Sequence, residues 1–516
     1  MRRILVVTAS CLLLLSAGCA ASSTEESTQK EENSITSMEA EPELDYEVPE
    51  SSPNILVDQL GYITDSSKIA IFCGEEMPGK FNIIEKETGI TVYVGYPEGK
   101  GSQKKGQEKI WYGDFSDFQV PGTYYIEAPV LGRSYSFQID DNLYDEVFQE
   151  ACRQYYYNRC GITLTREYAG EMAHNACHTG KAVLREDISV SLDMSGGWHQ
   201  DELGSKNVEK AARNIGIMLL AYELYGESFT ENMGIPESGN GIPDILDEIR
   251  YEIEWLLKMQ DPVTGAVYEG VTVCEQENGK GTVSYVEPAT MQSGKAFAMV
   301  LAKFSYLYQN FDTEYATNCL KAADRAWKYT ELNDDSTTDE WKFAAAAELY
   351  RASGLKSCHR YITEYLLQEE EKKELDEVTF LGYVTYISTK QQVDMELCSG
   401  IAEKLMTRAE EISNEARNSV YLVGENVQSD QNQSLLQDMM ILTTVDYIIA
   451  NHEYENIIEN HLHYFMGRNS QSLSYIDRVG ENNYKLVDEN LGIMKGFDTD
   501  SKLIFMLSEI VSNHRR

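Results

Sequence analysis

Positive charge is what this sequence is short of: 44 Lys and Arg residues face 84 Asp and Glu, a formal net charge of −40 at pH 7. Nucleic acid and anionic membrane surfaces are read through basic patches, so the imbalance excludes both as partners. It suits a surface protein that handles a neutral substrate, and acidity serving only solubility would leave the same trace. Cysteine is sparse as well. Of the ten, Cys11 and Cys19 fall at the N-terminus, and the other eight are scattered without the dense spacing of a disulfide framework. Beyond the N-terminal residues no apolar run is long enough to span a bilayer. At 516 residues the chain is too long for one ordinary domain, and two or three are expected.

Residues 1–18 read as an export signal: Arg2 and Arg3, an apolar core too short for a spanning helix, and a small-residue exit. Ser16-Ala17-Gly18-Cys19 looks like a bacterial lipobox, with Leu15 one position early. It implies cleavage before Cys19, lipidation of its thiol and membrane contact through that anchor only, at the bacterial cell surface. Plain secretion with an incidental cysteine is the alternative. Residues 19–52 follow as an acidic linker, with ten acidic residues between positions 20 and 52 against the single Lys30. Such a segment cannot bury enough apolar area to offset its ordering entropy, and it is expected to be a disordered tether.

From 53 to 140 the pattern is all-β. Seven short runs of alternating β-branched and aromatic residues, such as SKIAIFCG, KIWYGDFSDF and SYSFQID, are separated by Gly, Pro and Asp turns. They predict an immunoglobulin-like sandwich. From 141 to 516 the period is near 3.6, predicting helices over 143–158, 208–225, 244–260, 288–309, 313–330, 339–353, 357–368, 391–415, 431–450, 455–466 and 499–512. No strand runs of note interrupt them, which excludes a βαβ architecture. Asp244 is placed to cap its helix, and Ile245, Ile249, Ile253 and Leu257 give that helix an apolar face.

Several phrases resemble glycoside hydrolase family 9, the inverting cellulases. They include the turn Gly196-Gly197-Trp198-His199 and the loop GIPESGNGIPDILDE from Gly234 to Glu248. Further on stand Pro288-Ala289-Thr290, DEWKFAAAAELYRASG (339–354), GYVTYI (382–387) and FMGRNSQSLSYI (465–476). Val57-Asp58-Gln59-Leu60-Gly61-Tyr62 and GDFSDFQVPGTYYIE resemble the immunoglobulin-like module that precedes many of its catalytic domains. The resemblance implies a non-catalytic sandwich followed by an (α/α)6 barrel of helical hairpins.

Inverting glycoside hydrolysis needs a carboxylate base that activates water and a carboxylic acid that protonates the leaving oxygen. In the family, Asp-Ala-Gly-Asp after the Gly-Gly-Trp turn supplies the base side. Gapless alignment puts Gln200 and Leu203 at its two aspartates, and neither can take a proton from water. Asp201 and Glu202 are the candidates beside that register, and a solvated acidic turn is the competing reading of them. The family's acid, in an Asn-Glu phrase before the last helix, falls near Ile493-Met494, with Glu489 the closest acid upstream. The His-rich loop that grips the sugar should lie between Arg478 and Glu489, where RVGENNYKLVDE has no histidine. Cys160, Cys177, His178 and His199 keep the spacing of a zinc site found in several family members. Two thiolates and two imidazoles form a closed, structural set, with His174 a replacement ligand. A Cys160–Cys177 disulfide is the alternative, and calcium is neither implied nor excluded. Trp198, Tyr285, Tyr383 and Tyr386 could line a sugar cleft or sit in the core.

Two functions follow. One is an active glycosidase of β-1,4-glucan or a related polysaccharide with relocated carboxylates. The other is a surface relative, weak or inactive in hydrolysis, that binds glycan through the old cleft.

Overall fold

Alternation of buried and exposed residues along short strands builds the N-terminal unit in the structure, a computed structural model. It describes residues 54–102, 109–276, 281–368, 375–424, 431–487, 492–494 and 497–515. The export signal, Cys19, the acidic linker and Glu489 lie outside the described residues. Ten strands form the sandwich: β1 (Ile55–Leu56), β2 (Gly61–Tyr62), β3 (Ile69–Gly74), β4 (Phe81–Glu85), β5 (Thr91–Gly95), β6 (Glu98–Ser102), β7 (Lys109–Asp114), β8 (Gly122–Ala128), β9 (Gly132–Arg133) and β10 (Phe137–Ile139). One sheet runs β1-β3-β7-β6 and the other β2-β10-β8-β4-β5, with β9 paired to β8. Side chains on a strand point alternately to its two faces. Ala70 and Phe72 of β3 therefore enter the sandwich core with Phe81, Trp111 and Phe137, while Ile71 and Cys73 face Val420 and Tyr421 of the helical unit.

Gln59, between β1 and β2, fastens the two units. Its amide donates to the Ser472 carbonyl at 2.8 Å, and its oxygen accepts from Asn482 N–H at 2.9 Å. The segment expected to carry the sugar-gripping loop is thus bonded to the sandwich.

Among the described residues the helical unit has twelve helices longer than ten residues: α1 (Asp145–Tyr157), α2 (Val208–Tyr225), α3 (Asp244–Lys258), α4 (Met291–Tyr308), α5 (Thr313–Asn333), α6 (Glu340–Ser353), α7 (Lys356–Gln368), α8 (Glu377–Ser388), α9 (Met395–Asn418), α10 (Gln431–Ile449), α11 (Glu455–Phe465) and α12 (Phe497–His514). Successive even-numbered helices from α2 to α8 pack together, and α12 closes the ring between α10 and α2. Odd-numbered helices pack outside them, α5 on α4 and α1 on α12. The inner helices are buried nearly all round. An outer helix such as α5 buries one stripe, Ala316, Cys319, Ala323, Ala326 and Trp327.

Three expectations need correction. Helix α8, EVTFLGYVTYIS, was not predicted. Its β-branched and aromatic residues have modest helix propensity, and burial on every side removes the amphipathic period. The helical unit also contains a five-stranded sheet, β12-β11-β15-β14-β13, made of β11 (Ala182–Leu184), β12 (Ser191–Leu192), β13 (Lys206–Asn207), β14 (Gly270–Glu275) and β15 (Thr282–Val286). The two-residue strands β12 and β13 leave no alternation to read, but GVTVCE of β14 and TVSYV of β15 do carry a strand signal, which was missed. Asp244 does not cap its helix: its carboxylate accepts from Met233 N–H and the Ser238 hydroxyl, both at 2.6 Å, and so pins the preceding loop.

The barrel interior is tied by four buried charges. Lys303 on α4 meets Glu223 on α2 at 3.2 Å and Glu348 on α6 at 3.1 Å. Arg351 meets the same two carboxylates at 2.7 and 2.5 Å. Burial alone would raise the Glu223 carboxyl, but Arg351 and Lys303 overcome it and hold it down at about 2. A carboxyl lower in the folded chain stabilises the fold above its unfolded value, and that stability drains away as pH falls toward 2. Lys303→Met strands buried charge and is expected to cost about 3–5 kcal/mol at neutral pH. Denaturant unfolding of wild type and variant at pH 7 and in acid checks both the size and the narrowing of the gap at low pH.

Candidate functional site

The Gly-Gly-Trp turn is held from behind by α3. Gly196 and Gly197 have φ of +96° and +73°, and a Cβ on Gly197 would stand 2.7 Å from the Trp255 ring and 2.8 Å from Glu252. Only glycine passes there. Trp198 N–H donates to Glu252 Oε2 at 2.6 Å, and its indole N–H donates to Glu248 Oε1 at 2.7 Å. These two glutamates, one helical turn apart, are both fully buried. Arg159 caps the arrangement, donating to Glu248 at 3.1 Å and to the Glu237 carboxylate at 2.9 and 3.1 Å. Burial pushes the Glu252 carboxyl up to about 8 against the opposing charge of Lys206. Arg159, Lys206 and Glu252 were not picked out from sequence, and Glu248 reads there only as an acid in its helix's first turn. Two acids set a turn apart beside the apolar stripe of α3 were the signal available.

The backbone next to this turn gathers the four predicted metal ligands. Cys160 N–H bonds the Gly197 carbonyl, and His199 N–H bonds the Asn158 carbonyl. Ligand atoms of Cys160, Cys177, His178 and His199 lie within 4.8 Å of one another. Cys160 Sγ is 3.7 Å from His178 Nδ1, and Cys177 Sγ is 3.4 Å from His199 Nε2. Bonds of about 2.0–2.3 Å to a shared ion place ligand atoms at such separations. Gly204 leaves room for the ring, since a Cβ there would meet His178 at 2.5 Å. Burial pushes His199 down to about 4 and lowers His178, so both imidazoles are neutral and able to ligate. The donor set fits a closed four-coordinate ion. All described cysteines are free thiols, so the disulfide alternative is not formed. His174 is apart, bonded to the Asn175 carbonyl.

The positions implied for the base are occupied by structural groups. The Gln200 amide donates to the Asn207 carbonyl at 3.0 Å, and its oxygen accepts from Asn207 N–H at 2.9 Å. It thus fixes the residue that caps α2, where Asn207 Oδ1 accepts from Lys210 N–H at 2.9 Å. Leu203 is 40% exposed. Asp201 Oδ1 accepts from Leu203 and Ser205 N–H at 3.0 and 2.8 Å. Burial opposes its ionisation, yet these and neighbouring hydrogen bonds hold the carboxyl below its usual range. Glu202 is exposed. Ile493 and Met494 are buried apolar residues.

The inner helices present their first turns at one mouth, where charges from different helices are paired. Arg213 on α2 is 3.8 Å from Glu377 on α8, and Glu377 also pairs with Lys502 of α12. Lys295 on α4 sits 2.5 Å from Asp334 and 2.7 Å from Asp339. The aromatic candidates Trp198, Tyr383 and Tyr386 are buried, and Tyr285 lies beneath Arg185 at 4.0 Å.

The chain matches the model of glycosyl hydrolase family 9 over residues 144–490 and that of the cellulase N-terminal ig-like domain over residues 50–133. It is similar to endoglucanase D of Acetivibrio thermocellus, 27% identical over 464 residues that cover 83% of this chain and 73% of that protein. A metagenome-derived family 9 endoglucanase shares the fold at a TM-score of 0.79 and 24% identity, over 89% of this chain and 99% of its own. A Zn-binding triple mutant of a family 9 endoglucanase gives 0.74 and 22%, over 86% and 99%.

Because the ligand set joins three separate loops, an ion bound there contributes folding energy. Adding a chelator is expected to lower the melting temperature by several degrees, and Cys177→Ser to abolish that response. A melting curve indifferent to chelator contradicts the site.

Proposed function

The chain belongs to glycosyl hydrolase family 9, and from that premise we propose that it engages β-1,4-glucan or a related polysaccharide while hydrolysing it weakly or not at all. The observation that carries this reading is Gln200, whose amide is spent on both backbone groups of Asn207 where the family resemblance implies a catalytic aspartate. Leu203, at the second such position, has no proton-accepting group. Asp201, the nearest carboxylate in sequence, is held ionised by the backbone of its own turn. The mouth's Glu377, Asp334 and Asp339 are neutralised by Arg213, Lys502 and Lys295. A general base must be free to receive a proton, and these groups are committed elsewhere.

The ion at Cys160, Cys177, His178 and His199 is read as zinc from the thiolate–imidazole donor set, and a triple mutant of a family 9 endoglucanase of the same fold is zinc-binding. Its role is structural: all four positions are filled by protein, and it steadies the turn that leads to Gln200.

General-base catalysis contributes about 10²–10⁴-fold, so release of reducing ends from soluble β-1,4-glucan is expected near background. An Asp201→Ala/Glu202→Ala double variant serves as the comparison. Rapid turnover abolished by that change would establish a relocated base and overturn the reading. Rapid turnover that survives it would place the chemistry elsewhere in the molecule.

The lipobox-like Ser16-Ala17-Gly18-Cys19 and the acidic stretch behind it support a lipid-anchored protein at the bacterial cell surface. Cys19→Ala is expected to move the protein from the membrane fraction to the medium. An unchanged fractionation rejects the anchor.

A further inference from the structure

The far side of the barrel holds a second group of ligating side chains, separate from the Gly-Gly-Trp turn. Glu455 and Glu459 lie one turn apart on α11, and His514 is in the last turn of α12. One ligand atom from each comes within 4.8 Å of the others. His514 Nε2 is 2.7 Å from Glu459 Oε1, and its Nδ1 is 3.5 Å from Asp65 Oδ1 in the β2–β3 connection of the sandwich.

An acidic cluster alone signifies little, but a further acid stands behind this one. Glu509, on α12, is 1% exposed. Neither of its carboxylate oxygens meets a partner in good hydrogen-bond geometry. Burial pushes the carboxyl well up, outweighing the neighbouring Thr443 hydroxyl, which favours its ionised form. Asp446, Glu455 and Glu459 all lie within electrostatic reach of Glu509. Four carboxylates therefore crowd the junction of α10, α11 and α12. His452 faces them from the loop after α10, 3.5 Å from Asp446, and His514 from α12. Lys68 is also within reach of Glu459, but its ammonium is bound by the Ile63, Thr64 and Ser66 carbonyls at 3.4, 2.7 and 2.9 Å. Burying carboxylates without compensating charge is unfavourable, and a dication relieves it directly.

We infer that Glu455, Glu459 and His514 form a second divalent-cation site that joins α11 to the C-terminal helix. Two carboxylates and one imidazole favour a manganese-class ion over the softer metals that thiolates select. Binding replaces the proton between His514 and Glu459 by the ion. Because His514 also touches Asp65, the ion steadies the seam between the sandwich and the barrel as well as the end of α12.

Manganese binding to the full chain as purified is counted by loss of the free aqueous Mn²⁺ electron paramagnetic resonance signal at physiological salt, where diffuse attraction to the acidic surface is screened. One saturable ion per chain is expected. Glu455→Gln should weaken it at least tenfold, and Cys177→Ser should leave it unchanged. His514→Gln, at the chain's end, gives the same reading should Glu455→Gln not fold. Absence of saturable binding overturns the site, as does a saturable ion that persists in both Glu455→Gln and His514→Gln. Binding lost in Cys177→Ser alone assigns the manganese to the cysteine–histidine set and equally overturns it.

Discussion

Everything around the cleft depends on two carboxylates of α3 that hold one turn of backbone. Glu248 and Glu252 are fully buried. The indole of Trp198 and the guanidinium of Arg159 donate to Glu248. The Trp198 amide donates to Glu252, whose other oxygen has no partner and whose carboxyl faces the charge of Lys206. Taking either carboxylate into the interior is unfavourable until those donors are in place. The turn and the helix therefore stabilise each other. From this brace follow the glycine at 197, the position of Cys160 beside Arg159, and the route of the chain through His199 to Gln200.

The same arrangement bears on the proposal that the scaffold is kept while the acid–base pair is not. The brace is built from buried groups of α3, the turn itself and Arg159 just after α1, and it makes no demand on residues 200 and 203. The cysteine–histidine set adds to this independence, because it fixes the turn from the outside. At the mouth the ionised side chains pair with one another across α2, α4, α8 and α12. Such pairing holds the inner ring together.

Most of the architecture was legible in the sequence because amphipathic periods record which face of an element is buried. The sandwich strands and the outer helices carry that record clearly. Helix α8 does not, since it is wrapped by neighbours on every side and its residues have strand-like preferences. The five-stranded sheet was legible only in part, since β14 and β15 carry alternating β-branched residues while the remaining strands do not show. Its strands β12 and β13 are two residues long and exist only because segments distant in sequence lie against each other. At the site, the grouping of Cys160, Cys177, His178 and His199 was readable, because adjacent Cys and His at a fixed distance from another Cys and His are hard to obtain by chance. Asp244 misled, since a polar residue at a helix start reads as a cap whether its side chain bonds its own helix or, as here, the loop before it. Arg159 and Glu252 were silent because their partners are brought together only by folding.

The central claim is that the barrel's mouth still accepts a glucan chain but has lost the means to cleave it. Isothermal titration of cellohexaose into the purified protein, followed by chromatography of the sugar recovered from the cell, tests both halves at once. The account predicts saturable heat and hexasaccharide recovered intact after prolonged incubation. Shorter oligosaccharides accumulating in proportion to protein concentration would contradict it.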